Sequence, residues 1–229
     1  MKYLLTLFTI LSTLTVSAQT VDEDQLGAWY MYFYNTSFKE SNWGVQGDFQ
    51  YRDWQIFGDK EQLLLRSGIT YTPSDSGIKF TLGYGYVSSG AFGDSEESSV
   101  ESRIYQEGLF GQRLFKKLLI THRLRFEQRW VENQDFRTRY RYNLFVNIPF
   151  NNDNLVAKTW YFAFYNELFI NAQRDIGEGR SVEYFDRNRT YLGLGYALSD
   201  KIRFQTGWMK QTTTSVAKGQ LQFSMHHTF

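Results

Sequence analysis

The amino-acid sequence predicts an all-β protein that folds as a transmembrane antiparallel up-and-down β-barrel. Three observations predict this fold class. Segments of roughly 10 residues alternate between apolar and polar side chains, as strands between lipid and a lumen do. No stretch after residue 18 is both apolar and long enough for a membrane-spanning helix. The last residue, Phe229, is aromatic and ends an alternating segment.

Residues 1–18 predict a secretory signal peptide that is removed from the mature protein. Lys2 precedes an apolar run, and residues 16–18 read Val-Ser-Ala, a small-residue cleavage pattern. The run is shorter than the about 20 apolar residues that a membrane-spanning helix needs. We therefore expect cleavage after Ala18, with residues 19–229 forming one outer-membrane barrel domain.

The composition argues against several other classes of protein. The chain has 25 Lys and Arg against 24 Asp and Glu, a net charge of +1, which gives no reason to expect a nucleic-acid partner. It has no cysteine, so neither a disulfide framework nor a lipid anchor on a cysteine is expected. An aromatic content of 18% with only two prolines suits strands that lie between lipid and water.

The alternation is clearest at residues 43–52. The apolar face of this segment carries Trp43, Val45, Phe49 and Tyr51, and the polar face carries Gln46, Asp48, Gln50 and Arg52. A helix would scatter both sets around its axis, so the segment is predicted to be a strand. Two further strands, joined by a Pro-Ser-Asp-Ser-Gly turn, are predicted over residues 62–86.

The later segments keep the same period of two. Residues 123–130 and 137–148 alternate charged with apolar side chains, so that their arginines point to one side. Apolar faces with the same period follow at residues 160–171, 187–198, 202–208 and 221–229. Eleven segments are clear in total. Because single-chain bacterial barrels have even strand numbers, we expect about 12 strands, with about 10 as the second choice.

The connections fall into two lengths. Brief ones lie near residues 39–40, 72–77, 115–117 and 199–201, and longer ones lie near residues 88–99 and 172–183. Short periplasmic turns and longer outer loops are typical of outer-membrane barrels. The end of the barrel that carries the brief connections is therefore predicted to face the periplasm.

The C-terminal strand gives an independent prediction of location. An alternating strand that ends on an aromatic residue, here Phe229, resembles the signal read by the barrel assembly machinery of outer membranes. We expect a monomer in the outer membrane of a Gram-negative bacterium, with outer-membrane lipid, lipopolysaccharide and that machinery as partners. The alternative is a soluble, lipocalin-like periplasmic barrel, whose apolar face would point inward.

Several sequence strings resemble a known family. The strings are WGVQGDFQYRD, QLLLRSGITY, HRLRFEQRW, RTRYRYNLFVNIP, YNELFIN and FDRNRTYLGLGY. They resemble the domain of unknown function 2490 family, which is described as outer-membrane barrels frequent in Bacteroidota. The resemblance runs from Leu26 to the C-terminus, and its most specific parts are residues 127–129, 187–189 and 191–193. It implies fold and location, but the family has no established activity, so no residue inherits a role.

The polar faces predict a charged lumen. If the apolar faces meet lipid, arginines outnumber carboxylates on the inner wall. The predicted lumen cluster consists of Arg123, Arg125, Glu127, Arg129, Arg139, Arg141, Glu167, Arg187 and Arg189. Glu101, Arg103, Glu107 and Arg203 are expected on the same inner wall. The cluster has two interpretations: a strut of paired charges that fills a narrow barrel, or a constriction that favours anions in a channel for small solutes.

An outer-membrane lipid hydrolase is a third and weaker interpretation, since it needs a nucleophile with a histidine base in reach. The three histidines are His122, His226 and His227, and only Ser224 and His226 share a strand face near the C-terminus. Adjacent histidines in a strand point to opposite faces and cannot share a metal ion by themselves. We therefore expect no enzyme, metal or cofactor, and either a narrow channel or a non-conducting structural or surface-binding barrel.

Overall fold

The computed structural model describes residues 24–93 and 95–229, and these residues form an all-β protein. The predicted signal peptide lies outside the described residues. The eleven strands are β1 (Gly27–Ser37), β2 (Trp43–Asp53), β3 (Lys60–Tyr71), β4 (Ile78–Gly90), β5 (Ser98–Leu114), β6 (Leu118–Val131), β7 (Arg137–Pro149), β8 (Thr159–Asn171), β9 (Phe185–Ala197), β10 (Ile202–Thr212) and β11 (Ala217–Thr228). Within the described part of the chain, no helix is long and apolar enough to cross a membrane.

The strands close into a single barrel in chain order. Each strand pairs antiparallel with the next, whereas β1 and β11 pair parallel, with Gly27 opposite Gln220 and Asn35 opposite Thr228. Every hairpin reverses the chain, so the first and last of an odd number of strands run in the same direction. The prediction of an all-β up-and-down barrel is confirmed. The strand number differs by one from the first choice of twelve because a parallel closing pair makes a further strand unnecessary.

The two faces of the wall are those that the alternation predicts. On β6, Leu124 points outward with 56% of its surface exposed, whereas Glu127 points inward and is completely buried. The same division holds on β3 and β4, where Ile69 and Leu82 are exposed and Arg66 is buried. The barrel therefore has an apolar outer wall and a polar interior, the inverse of the soluble lipocalin-like alternative.

The two ends of the barrel differ in their connections. One end, here called the turn end, carries the connections at residues 38–42, 72–77, 115–117, 150–158 and 198–201, together with the C-terminus. The other, the loop end, carries those at residues 54–59, 132–136, 172–184 and 213–216 and the connection from β4 to β5. Both connections predicted to be long lie at the loop end. The 172–184 segment packs on the β6–β7 loop, since the Asp135 amide donates to the Ile176 carbonyl at 2.9 Å.

Aromatic side chains fill one side of the interior. Trp29, Tyr161, Tyr191 and Met209 form a buried cluster there with Ala163. Their polar ends are satisfied within the barrel, as the Gln205 amide donates to the Tyr161 hydroxyl at 3.0 Å. The interior beside β1 and β8–β10 is thus packed with rings, whereas most of the interior ion pairs lie on the opposite side.

Glycines on the inner face make room for these rings. A Cβ atom at Gly195 would fall within the ring of Tyr161, whereas a Cβ atom at Gly108 would meet nothing within 4 Å. Extra atoms in a filled core force side chains and backbone apart. We expect Gly195→Ala to lower the free energy of unfolding by about 1–3 kcal/mol, measured by urea titration of the refolded barrel. Gly108→Ala is the control and should be close to neutral; equal losses in the two variants would contradict this account of the glycines.

Candidate functional site

The charged side of the interior is built on the β6–β7 hairpin. Arg125 lies opposite Arg141 in this hairpin, and Glu127 lies opposite Arg139. Because successive residues of a strand point to opposite faces, charges at every second position reach the same interior. The sequence pattern of β6 and β7 thereby places several guanidinium groups around few carboxylates.

Glu127 lies at the centre of these charges. Its Oε2 accepts hydrogen bonds from Nε and Nη2 of Arg139 at 3.0 and 2.6 Å. Its Oε1 accepts one from Nη1 of Arg141 at 2.6 Å, and Nη1 of Arg125 lies 3.7 Å from the same atom. Three arginines therefore share one buried carboxylate, an arrangement that holds two neighbouring strands at fixed spacing.

Two further carboxylates extend these contacts around the wall. Glu167 on β8 accepts from Arg141 and from Arg123, both at 2.5 Å. Glu107 on β5 pairs closely with Arg125 and lies 3.6 Å from Nε of Arg123. These links form the central ion-pair network, which consists of Glu107, Arg123, Arg125, Glu127, Arg139, Arg141 and Glu167.

Other members of the predicted lumen cluster lie in separate groups. Arg129 pairs with Glu101, which also binds Arg103, each at 2.5 Å. Arg187 pairs with Asp186 at 3.1 Å, and Asp186 joins this pair to the central network through Arg139 at 2.6 Å. The structure therefore brings together six residues of the predicted cluster directly, connects Arg187 to them through Asp186, and places Arg129 in a neighbouring group.

Asp186 is a member of the interior ion pairs that the alternation does not predict. Phe169 pairs with Arg187 and Ile170 pairs with Phe185, so Asp186 is the extra residue of a bulge in β9. A bulge re-aims a side chain that a regular strand would point to the other face. The local sequence shows only an acidic residue directly before Arg187, which does not predict that its side chain points inward.

Arg189 and Arg52 differ from the other interior arginines. Arg189 donates to Gln211 at 2.8 Å and lies 4.7 Å above the ring of Trp29. Arg52, on β2, donates to Gln50 and Gln62 and lies 3.8 Å above the same ring. Neither guanidinium lies within ion-pair distance of a carboxylate in the described part of the chain. Arg52 lies opposite Trp29 in the β1–β2 hairpin, whereas Arg189 reaches Trp29 only through the β1–β11 closure, which local periodicity does not predict.

A polar cavity lies beside these groups, toward the loop end. It encloses about 200 Å³. Eight arginines line it, among them Arg52, Arg103, Arg187 and Arg189, with Glu101 as the carboxylate of the lining. Ser89 and Ser99, at the adjoining ends of β4 and β5, add hydroxyl groups at its border. The cavity is thus a site of concentrated positive charge, suited to an anion.

The histidines lie where the alternation predicts. His122 points outward and stacks on Phe110 with ring centroids 4.5 Å apart. His226 points inward, stacks on Phe33, and lies 3.2 Å from the Ser224 hydroxyl. In residues 24–93 and 95–229, no group of three or more His, Cys, Asp or Glu side chains is arranged to hold a metal ion. Among the described residues, no acidic side chain hydrogen-bonds to His226 to complete a triad.

Comparison with known proteins assigns the chain to a family. It is 30% identical over 162 residues to an uncharacterized protein of Methylorubrum extorquens, an alignment that covers 69% of this chain and 67% of the relative. The model of the family described as Protein of unknown function (DUF2490) matches residues 26–222, which include the central ion-pair network and nearly the whole barrel. The chain belongs to the DUF2490 family.

Proposed function

We propose that the protein is an exported, monomeric outer-membrane barrel that does not conduct solutes and that binds a ligand at its loop end. The turn end, with the C-terminal Phe229, faces the periplasm, where the barrel assembly machinery would read that residue. The loop end faces lipopolysaccharide and the medium. No catalytic role is assigned to Ser224 or His226.

The outer wall supports the membrane location. Ile69 on β3, Leu82 on β4 and Leu124 on β6 are all more than half exposed, so that water would contact an extended apolar surface. Soluble monomers rarely expose such a patch beyond a few hundred Å². In a membrane, lipid rather than water would contact this apolar surface, so the unfavourable exposure to water is removed. The closed sheet also leaves no unpaired strand edge in the hydrocarbon.

The filled interior is the single observation that favours a non-conducting barrel over a channel. Trp29, Tyr161 and Met209 on one side and Glu127 on the other are all essentially inaccessible to solvent, although all four point into the lumen. Phe145 and Tyr165 bridge the two sides: Arg123 lies 5.3 Å from the ring of Phe145, and Tyr165 contacts both Phe145 and Tyr191. A small barrel filled in this way has an interior like a protein core rather than a water-filled pore.

Planar-bilayer recording tests the non-conducting proposal. Insertion of the purified barrel is expected to give no discrete conductance steps above the bare bilayer, because interior side chains occupy the lumen. Insertion itself is verified by the heat-modifiable band of the folded barrel and by its recovery in outer-membrane fractions. Discrete steps with anion preference would instead establish the channel interpretation of the arginines, and recovery as a soluble periplasmic protein would contradict the membrane location.

A further inference from the structure

We propose that the arginine-lined cavity at the loop end is a binding site for a phosphate-class oxyanion, either free or as the headgroup of a phosphorylated molecule. The inference rests on the proposed surface-binding function and names the chemistry of its ligand.

The positive charge around the cavity is not fully balanced by carboxylates. Most of the interior arginines have a carboxylate partner: Arg103 and Arg129 share Glu101, and Arg66 binds Asp48 at 2.9 Å. Arg52 and Arg189 have none within ion-pair distance in the described residues, although only 5% and 7% of their surfaces are exposed. Their hydrogen-bond acceptors are neutral amides of glutamine.

Glu61 does not balance this charge by direct contact. It is buried on the same side of the barrel, but its Oε2 accepts from Nε1 of Trp29 at 2.9 Å and lies beyond ion-pair distance of Arg52. A buried charge without a paired counter-ion is strongly destabilising. An anion in the cavity beside Arg52 and Arg189 would supply the missing charge.

An unused donor gives a second, independent observation. Nε of Arg187 is buried and has no hydrogen-bond partner, and Arg187 lines the same cavity as Arg52 and Arg189. Buried polar groups without partners are uncommon in folded proteins, and each one needs an explanation such as an absent ligand. An oxyanion in the cavity would accept from this atom.

The size and lining of the cavity favour a phosphate group. Guanidinium forks match the oxygens of phosphate in pairs, and the hydroxyls of Ser89 and Ser99 add neutral donors. A space of about 200 Å³ accepts such a group with a few waters, but it is too small for an acyl chain and a disaccharide together. A larger phosphorylated molecule would therefore insert its phosphate and leave the remainder outside the loop end.

Calorimetric titration of the full barrel in detergent, at fixed ionic strength, tests the site with inorganic phosphate. We expect saturable binding with one phosphate per barrel. Arg52→Gln and Arg189→Gln are each expected to weaken it at least tenfold, because each removes a buried positive charge. Arg174→Gln is the control: it makes the same charge change on a half-exposed loop arginine that pairs with Glu183, and it should leave the affinity unchanged.

Ser99→Asp keeps the test decisive if an interior arginine variant fails to fold. Ser99 is exposed at the border of the cavity, so the substitution adds a negative charge without removing any interior contact. It should abolish phosphate binding in a folded barrel. Ser95→Asp, in the β4–β5 connection outside the lining, should not.

Titration with vesicles of a phosphomonoester lipid, compared with vesicles of a neutral-headgroup lipid, separates the two sources of phosphate. Binding of free phosphate supports a soluble ligand, and binding of the phosphorylated vesicles alone supports a headgroup ligand. No saturable binding by folded wild-type protein to either probe, or equal affinities in Arg52→Gln, Arg189→Gln and Arg174→Gln, would overturn the site. These readouts are independent of conductance and fractionation, so failure of the site is distinguishable from failure of the proposed function.

Discussion

Glu127→Gln is expected to lower the free energy of unfolding of the barrel by about 3–5 kcal/mol, because it removes one partner from a buried group of charges. The glutamine has nearly the same shape as the native side chain, so the loss reports on charge rather than on packing. Urea titration of the barrel refolded into vesicles, followed by tryptophan fluorescence, measures it.

The contacts of Glu127 explain why so large an effect is expected. Two arginines donate three hydrogen bonds to this carboxylate, and a third arginine lies 3.7 Å away. Glutamine cannot accept as many charged donors and adds two donors of its own. Arg139 keeps its ion pair with Asp186, and Arg141 keeps its ion pair with Glu167. The network therefore loses its central contacts but keeps these outer ion pairs.

Glu183→Gln is the matched control. It removes the same charge from the Arg174–Glu183 pair, whose side chains are about half exposed, and exposed pairs contribute only about 0–1 kcal/mol. The double variant Glu127→Gln with Arg139→Gln should lose less than the sum of the two single variants, since the partners are coupled. Equal losses in Glu127→Gln and Glu183→Gln, or strict additivity in the double variant, would contradict the strut interpretation of the network.

The sequence predicts the wall of the barrel well because strand alternation is local. Alternating residues on β6 and β7 suffice to place Leu124 outside and Arg125, Glu127, Arg139 and Arg141 inside. Neighbouring hairpin strands then bring Glu127 and Arg139 together, because a short connection fixes their register. The central ion-pair network follows from these two local rules.

Features that depend on distant strands are not predictable in this way. The parallel pairing of β1 with β11 joins the two ends of the chain, and it accounts for the odd strand number. The same closure brings Arg189 on β9 to Trp29, whereas Arg52 already lies opposite Trp29 in the β1–β2 hairpin. The bulge that turns Asp186 inward depends on the pairing of β8 with β9.

The alternation also does not predict how completely side chains fill the interior of the barrel. Alternation shows that Tyr191 and Arg189 face the same side, but it does not show whether opposite walls touch. That depends on the diameter of the closed barrel and on glycines such as Gly195, over which the ring of Tyr161 lies. For this reason the sequence leaves the strut and the channel as alternatives, whereas the packing of the interior favours the strut.

Leu124→Arg is expected to lower the free energy of unfolding of the barrel in phospholipid vesicles by roughly 2–4 kcal/mol, the cost of a cation on the lipid face at mid-bilayer. Leu124 lies near the middle of β6 on the outer wall, with 56% of its surface exposed. Leu198→Arg is the control: Leu198 is 52% exposed but follows the end of β9 at the turn end, where the same change costs only about 0–1 kcal/mol. In a water-soluble barrel both positions would be ordinary surface, and both changes would stay within about 0.5 kcal/mol. The two variants differ only in the depth at which the arginine would lie in the bilayer, so denaturant titration of both in vesicles tests the membrane location. Equal small losses of stability would contradict it.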